Sequence, residues 1–292
     1  MAIQNDVQIQ DKTSPAFHAS RDETSTFQKD ALDILEATSR TFFIPISRLP
    51  PGLLEAVGSG YLCLRAIDEI EDHKELTSQV KVALLRIISQ SLQSSVDGFR
   101  ENGLATTLEN YGDTLPVVTV RLCDWVRLAP ETIGPRIWDA TAAMADRMAD
   151  WVISNWEVHT LADLERYTFG VAGAVGLMLS DMWAWYDGTR TDRINAIGFG
   201  RGLQAVNILR NRAEDLARGV DFFPDGWCEK DMFSYARRNL KYADAYLREL
   251  PPGPSQDFCR IPLALAYATI DALAEGRNKL SRSEVENLVG ND

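Results

Sequence analysis

Helical periodicity runs through this chain with few interruptions, and that rhythm constrains the fold more than any other feature. Apolar residues recur at helical spacing from Thr24 onward, with Ala31, Ile34, Leu35 and Thr38 as the first set. Further helical patterns cover Leu53–Glu71, Gln79–Phe99, Pro116–Leu128, Pro135–Ile153 and Leu161–Trp185. They continue over Asp192–Arg218, Glu229–Leu247 and Cys259–Glu275. Pro45, Pro50 and Pro51 mark a connection before the second of these segments. Period-2 alternation is scarce, and no strand–helix–strand rhythm appears. The pattern predicts an all-α fold: one helical domain over residues 23–292, preceded by a polar, aperiodic, flexible arm over residues 1–22.

Bulk properties exclude several functions. The formal charge of −12, with no basic stripe, argues against a nucleic-acid partner. Four cysteines (Cys63, Cys123, Cys228 and Cys259) lie too far apart for a zinc motif. Residues 1–30 lack the apolar core of a signal peptide, and the longest apolar stretches are shorter than the ~20 residues a membrane span needs. A cytoplasmic protein without a transmembrane segment is expected, with peripheral membrane contact left open.

Two acidic segments carry the chemistry: Asp68-Glu69-Ile70-Glu71-Asp72 and Asn211-Arg212-Ala213-Glu214-Asp215. In each, the outer residues sit at i and i+4, so they project from one helix face. Each follows a largely apolar stretch, where unpaired carboxylates would be costly. Opposed across a bundle, the two faces would form an oxygen-rich socket for a hard cation such as Mg²⁺. Arg65, Arg210 and Arg218 flank them, and cation plus arginine suits an organic diphosphate. A solvated charge run is the commoner use of such residues, and the repetition of the arrangement weighs against it.

Gly170, Gly173 and Gly176 recur at i, i+3 and i+6, each less favourable in a helix than Ala by roughly 1 kcal/mol. They imply close approach of a second backbone or of a ligand. Gly198-Phe199-Gly200-Arg201-Gly202 lacks both the spacing and the preceding strand of a dinucleotide loop. His18, His73 and His159 are isolated, and His73 is read as an exposed histidine. Five of the seven tryptophans fall between Trp138 and Trp185, as core or as cavity lining.

Together these residues resemble the squalene/phytoene synthase family. Ser39-Arg40-Thr41-Phe42 is similar to its early diphosphate-binding segment, and Tyr61 through Asp72 to its YxxxRxxDxxxD helix. Tyr167 to Gly176 resembles its YxxxVAGxVG segment, and Gln204 to Gly219 its QxxNILRDxxEDxxRG segment. Four motifs in order are specific where one would be weak. The resemblance implies the isoprenoid synthase fold and the head-to-head condensation of two prenyl diphosphates, with farnesyl diphosphate preferred. Coupling would pass through a cyclopropyl diphosphate of presqualene type to a squalene, dehydrosqualene or phytoene-like product. It implies Mg²⁺ (or Mn²⁺) at Asp68, Asp72, Asn211 and Asp215, and diphosphate binding by Ser39, Arg40, Phe42, Arg65, Asn207, Arg210 and Arg218. Tyr167, Asp68, Asp72 and Asp215 would be catalytic, and NADPH would be the hydride donor where the product is reduced.

The chain departs from the family pattern at Asn211, Val220 and Phe222, which stand in place of Asp, Arg and Tyr. These changes keep open a one-substrate terpene cyclase or another prenyl diphosphate-processing enzyme, and a non-catalytic assembly protein.

Overall fold

A computed structural model of the protein describes residues 21–94, 103–277 and 279–290; the side chains of residues 21–28, Arg40, Arg282 and Gly290 are outside that description. Residues 1–20, most of the expected arm, therefore lie outside the described residues, as does the end of the Gln79–Phe99 segment. No strand occurs among the described residues. The all-α expectation holds.

Helices α1 (Arg21–Thr38) and α2 (Arg40–Ser47) lead into the long α3 (Leu53–Glu71) and α4 (Ser78–Leu92). Three short helices follow: α5 (Leu104–Glu109), α6 (Val117–Val120) and α7 (Leu122–Leu128). Then come α8 (Gly134–Ile153), α9 (Leu161–Thr168), a π-helical turn (Phe169–Gly173) and α10 (Ala174–Asp187). The chain closes with α11 (Arg193–Ala217), α12 (Glu229–Glu249), α13 (Pro254–Ala274) and α14 (Arg282–Gly290). α11 packs along α12 and crosses α10, α13 and the π turn; α3 packs on α7 and α8, and α4 on α8.

Local chemistry fixes the ends. Asp192 caps α11 by accepting from the N–H groups of Ile194 and Asn195 at 2.7 and 3.1 Å. Thr160 and Asp163 form a reciprocal capping box on α9. Gly188 ends α10 in the left-handed region at φ 80°.

Three expectations need correction. Pro45 lies inside α2 rather than in a connection, because Ser39 caps that helix and Ile46 is fully buried. The segment expected as one helix over Pro116–Leu128 breaks at Arg121. Its β-branched start resists helix, and the buried Trp125 indole N–H donates to the Val118 carbonyl at 2.7 Å. Leu161–Trp185 is likewise interrupted, by the π turn at Phe169–Gly173. Sequence periodicity also missed the short α5 and α14.

Of the three spaced glycines, Gly176 answers to backbone proximity, whereas a Cβ at Gly170 would meet the Arg147 side chain at 3.4 Å and one at Gly173 the Ile197 and Phe169 side chains at 3.2 Å. A Cβ at Gly176 would lie 2.0 Å from the Ala196 carbonyl oxygen, and one at Gly200 the same distance from that of Ala172. α10, the π turn and α11 thus meet backbone to backbone. The tryptophans are core rather than cavity lining: Trp125 and Trp183 are fully buried, and none lines the central cavity.

Candidate active site

A cavity of about 340 Å³ lies between α2, α3, the π turn, α10 and α11. Its walls are mostly apolar, from Val57, Leu64, Val171, Val175, Leu179 and Leu203, with Phe258 among them. Its polar lining comes from Arg65, Asp68, Gln204 and Asn207. Phe42 also lines it, half-buried with its ring 5.5 Å from that of Tyr61. Ser39 spends its hydroxyl on the α2 cap, accepting from the Phe42 N–H at 3.2 Å. Arg40 opens α2, and its side chain is outside the described residues.

α3 delivers the first acidic segment at its C-terminal end. Arg65 donates to Asp68 at 2.5 Å and also to Glu69, while its buried Nε has no hydrogen-bond partner among the described residues. Asp68, Glu71 and Asp72 each place a carboxylate oxygen within 4.8 Å of the other two. The surrounding protein and the Asp72 charge raise the Asp68 carboxyl to a pKa of about 6. Glu71 is only 7% exposed, and burial followed by repulsion from Asp72 and Asp68 lifts it to about 8. Three clustered carboxylates, Asp68 and Glu71 raised by burial and by their acidic neighbours, fit a hard divalent cation, which would relieve that repulsion.

The second segment joins through one arginine. Arg218 donates to Asp72 at 2.8 Å and to Asp215 at 2.9 Å. Burial raises the Asp215 carboxyl, and Arg218 partly offsets the rise. Asp68, Asp72, Asp215, Arg65 and Arg218 are therefore brought together with Glu71. Arg210 is exposed and donates to the neighbouring Asn211 Oδ1 at 3.1 Å, and among the described residues neither forms a hydrogen bond or ion pair with the acidic group.

Tyr167 is buried beside the site rather than in the cavity wall. Its ring stacks on Phe222 at 4.3 Å and meets Trp151 edge-on at 5.4 Å. Burial, then the charges of Glu71, Asp72 and Asp68, push its phenol well above the ordinary range. Among the described residues its hydroxyl has no hydrogen-bond partner. Phe222, noted as a departure, therefore forms one wall of the Tyr167 slot, and Val220 is buried nearby in the chain.

Sequence reasoning passed over Glu71, although its i+3 spacing from Asp68 places it on the same face. It also passed over Trp156, whose indole N–H donates to Glu71, and Lys81, whose ammonium donates to the Glu71 carbonyl at 2.6 Å. No motif spacing could find those two, because they come from elsewhere in the fold, Trp156 from the turn after α8 and Lys81 from α4. His73, read as exposed, is half-buried: its Nδ1 accepts from the Glu75 and Leu76 N–H groups, organising the turn after α3.

Among solved structures, the protein is similar to TcSQS in complex with the ligand E5700, with a TM-score of 0.73 at 22% identity over 90% of this chain and 85% of that one. A dehydrosqualene synthase in complex with ligand gives 0.54 at 19% identity, covering 92% and 96%. At those identities they establish the fold. A squalene synthase from Eremothecium gossypii is 31% identical over 93% of this chain and 68% of its own length. One from Schizosaccharomyces pombe is 29% identical over 82% and 58%. The chain thus spans roughly three fifths to two thirds of the curated relatives' length. The squalene/phytoene synthase model matches residues 35–232, which takes in all four motifs and both acidic segments, and the chain belongs to the squalene/phytoene synthase family.

Proposed function

We propose that the protein is a prenyltransferase that condenses two prenyl diphosphates head to head, farnesyl diphosphate being the preferred substrate. The observation that carries this reading is the placement of Asp68 and Arg65 on the lining of an otherwise apolar cavity. One end suits a diphosphate and the rest suits a hydrocarbon chain. Relatives that are squalene synthases favour it over the one-substrate alternative.

Asp68, Glu71, Asp72 and Asp215 would hold Mg²⁺ or Mn²⁺, which supplies positive charge to the departing pyrophosphate. Arg65 and Arg218 donate to diphosphate oxygens, drawn from the carboxylates they now occupy. The apolar walls keep water from the allylic cation left at C1. That cation takes the electron pair of the second substrate's 2,3-double bond, and loss of a proton closes the cyclopropane. Tyr167, held neutral by its surroundings, acts through a donated hydrogen bond or its lone pairs on nearby charge, not as a phenolate base. Departure of the remaining diphosphate as pyrophosphate and rearrangement of the cyclopropylcarbinyl cation would give a 1,1′-linked cation, which hydride from NADPH would quench to a squalene product.

Localisation is narrower ground: no described helix is long and apolar enough to cross a membrane. Cytoplasmic placement and peripheral membrane contact are part of the proposal.

The deciding assay supplies farnesyl or geranylgeranyl diphosphate with Mg²⁺, with and without NADPH, and identifies products by mass spectrometry. A C30 or C40 coupled product, or its cyclopropyl diphosphate, is expected. Products of C15 or C20 alone would overturn head-to-head coupling in favour of one-substrate chemistry. No pyrophosphate release would overturn the enzymatic reading.

A further inference from the structure

Two energetically unfavourable features of the structure meet at one carboxylate. Asn155 and Trp156 both adopt left-handed backbone, at φ 50° and 54°, and neither is glycine. The turn closes with the Trp156 N–H on the Trp151 carbonyl at 3.0 Å. That conformation carries the Trp156 indole to the far end of α3, where its N–H donates to Glu71 Oε1. The second feature is Lys81, a lysine only 8% exposed. Its ammonium donates to the Glu71 carbonyl at 2.6 Å and lies 5.6 Å from the Trp156 ring centroid. Backbone strain and a buried ammonium thus converge on the same residue, one from the turn after α8 and the other from α4.

The three carboxylates of the acidic group are held in different ways. Asp68 is bound by Arg65 and Asp72 by Arg218, both guanidinium groups that an arriving diphosphate competes for. Glu71 is bound by a neutral indole through its side chain and by Lys81 through its backbone. Neither contact needs to break when an anion enters. The indole N–H engages Oε1 and is a donor only, so it leaves the other carboxylate oxygen uncommitted.

We infer that Trp156 is a positioning residue: its indole N–H, aimed by the left-handed turn and backed by Lys81, fixes Glu71 as the stationary carboxylate of the cation-binding group. Asp68 and Asp72 rearrange around it as their arginines turn to the diphosphate. This rests on the proposed cation site, and it adds a determinant from outside the acidic helices. A tryptophan that merely filled space would give the same packing without setting cation affinity.

Mn²⁺ binding to the full chain, followed by electron paramagnetic resonance, tests it. Trp156→Phe keeps the apolar ring and deletes the donor, and it should weaken Mn²⁺ binding about tenfold, the usual scale for a residue that orients a metal ligand. Glu71→Gln should also weaken it. Adding Trp156→Phe to Glu71→Gln should then cost nothing further, because the indole acts through that carboxylate. Unchanged affinity in Trp156→Phe, or the same loss with and without Glu71, overturns the inference. If the wild-type chain binds no Mn²⁺, the cation site itself falls, and this inference with it. Should Trp156→Phe not fold, Mg²⁺ titration of the ¹⁵N-labelled wild-type chain gives the answer. One indole N–H resonance should shift with Mg²⁺ occupancy and lose that response in Glu71→Gln; no responding indole overturns the inference.

Discussion

Arg218 donates to Asp72 across the gap between the two acidic helices, Nη1 to Oδ1 at 2.8 Å, while its other terminal nitrogen holds Asp215. The guanidinium thus occupies the carboxylates that the proposed function assigns to cations. It competes with a cation when no diphosphate is present and cooperates with one when diphosphate arrives. Arg218→Gln should bind Mg²⁺ more tightly without diphosphate, by up to about fivefold, since a partly exposed ion pair is worth about 0.2–1 kcal/mol. The same variant should bind pyrophosphate in the presence of Mg²⁺ at least tenfold more weakly. Calorimetric titration with Mg²⁺ alone and then with Mg²⁺ plus pyrophosphate reads both changes, and equal weakening of both would contradict this competition.

Carboxyl groups raised by burial and repulsion make the metal-free protein sensitive to alkali. Glu71 rises from an ordinary 4.5 to about 8, and Asp68 from 3.8 to about 6. Between the unfolded and folded values the native state holds protons that the unfolded chain has released, so stability falls as pH increases. In chelator, the melting temperature should be highest near pH 5 and decline toward pH 8. Mg²⁺ should flatten that slope, with proton release on binding. Thermal melts across this range, with and without Mg²⁺, check the sign; a melting temperature that rises with pH in chelator would refute it.

Tyr167 offers a clean separation of chemistry from packing. Its ring is wedged between Trp151 and Phe222, whereas its hydroxyl makes no hydrogen bond to the described protein. Tyr167→Phe keeps both ring contacts. It should leave the melting temperature within a degree or two while lowering turnover by about 10²-fold or more, the scale of a positioned proton-handling group. An unaltered rate would remove Tyr167 from the mechanism.

Backbone contact between α11 and the π turn should tolerate no added carbon. Gly200→Ala would press a Cβ to 2.0 Å from the Ala172 oxygen, which no rotamer can relieve. The expected loss is at least the 1–3 kcal/mol typical of overpacking. Because Gly200 also lines the cavity, substrate affinity should fall as well. Denaturant unfolding and product assays together measure the two effects.

Much of this arrangement was legible in the sequence where one helix carries the signal. Asp68 and Asp72 could be placed on a common face because i and i+4 spacing fixes it, and Arg65 follows from the same turn. Helix α11 could be bounded to within a residue, since Asp192 is a strong cap. Legibility ends where a partner arrives from elsewhere in the fold. Nothing adjacent in the chain links Trp156 or Lys81 to Glu71, and the left-handed turn that aims the indole has no glycine to announce it. Pro45 misled because the residue type argues for a break, while capping and burial of α2 outweigh it locally. The pairing of Arg210 with Asn211 was equally hidden, because spacing allows either residue to turn toward the acidic group.

The π turn at Phe169–Gly173 has a consequence for how this site can change. It adds one residue to an otherwise regular path, and one residue corresponds to about 100° of helical rotation. Tyr167 precedes that addition, while Val175 and Leu179 of the cavity wall follow it. The turn is therefore a phase shifter between the aromatic slot and the hydrocarbon pocket. Deleting a single residue there would leave both helices intact and point them at the wrong neighbours, so point substitutions can reshape the pocket but a one-residue deletion would uncouple it from the acidic end.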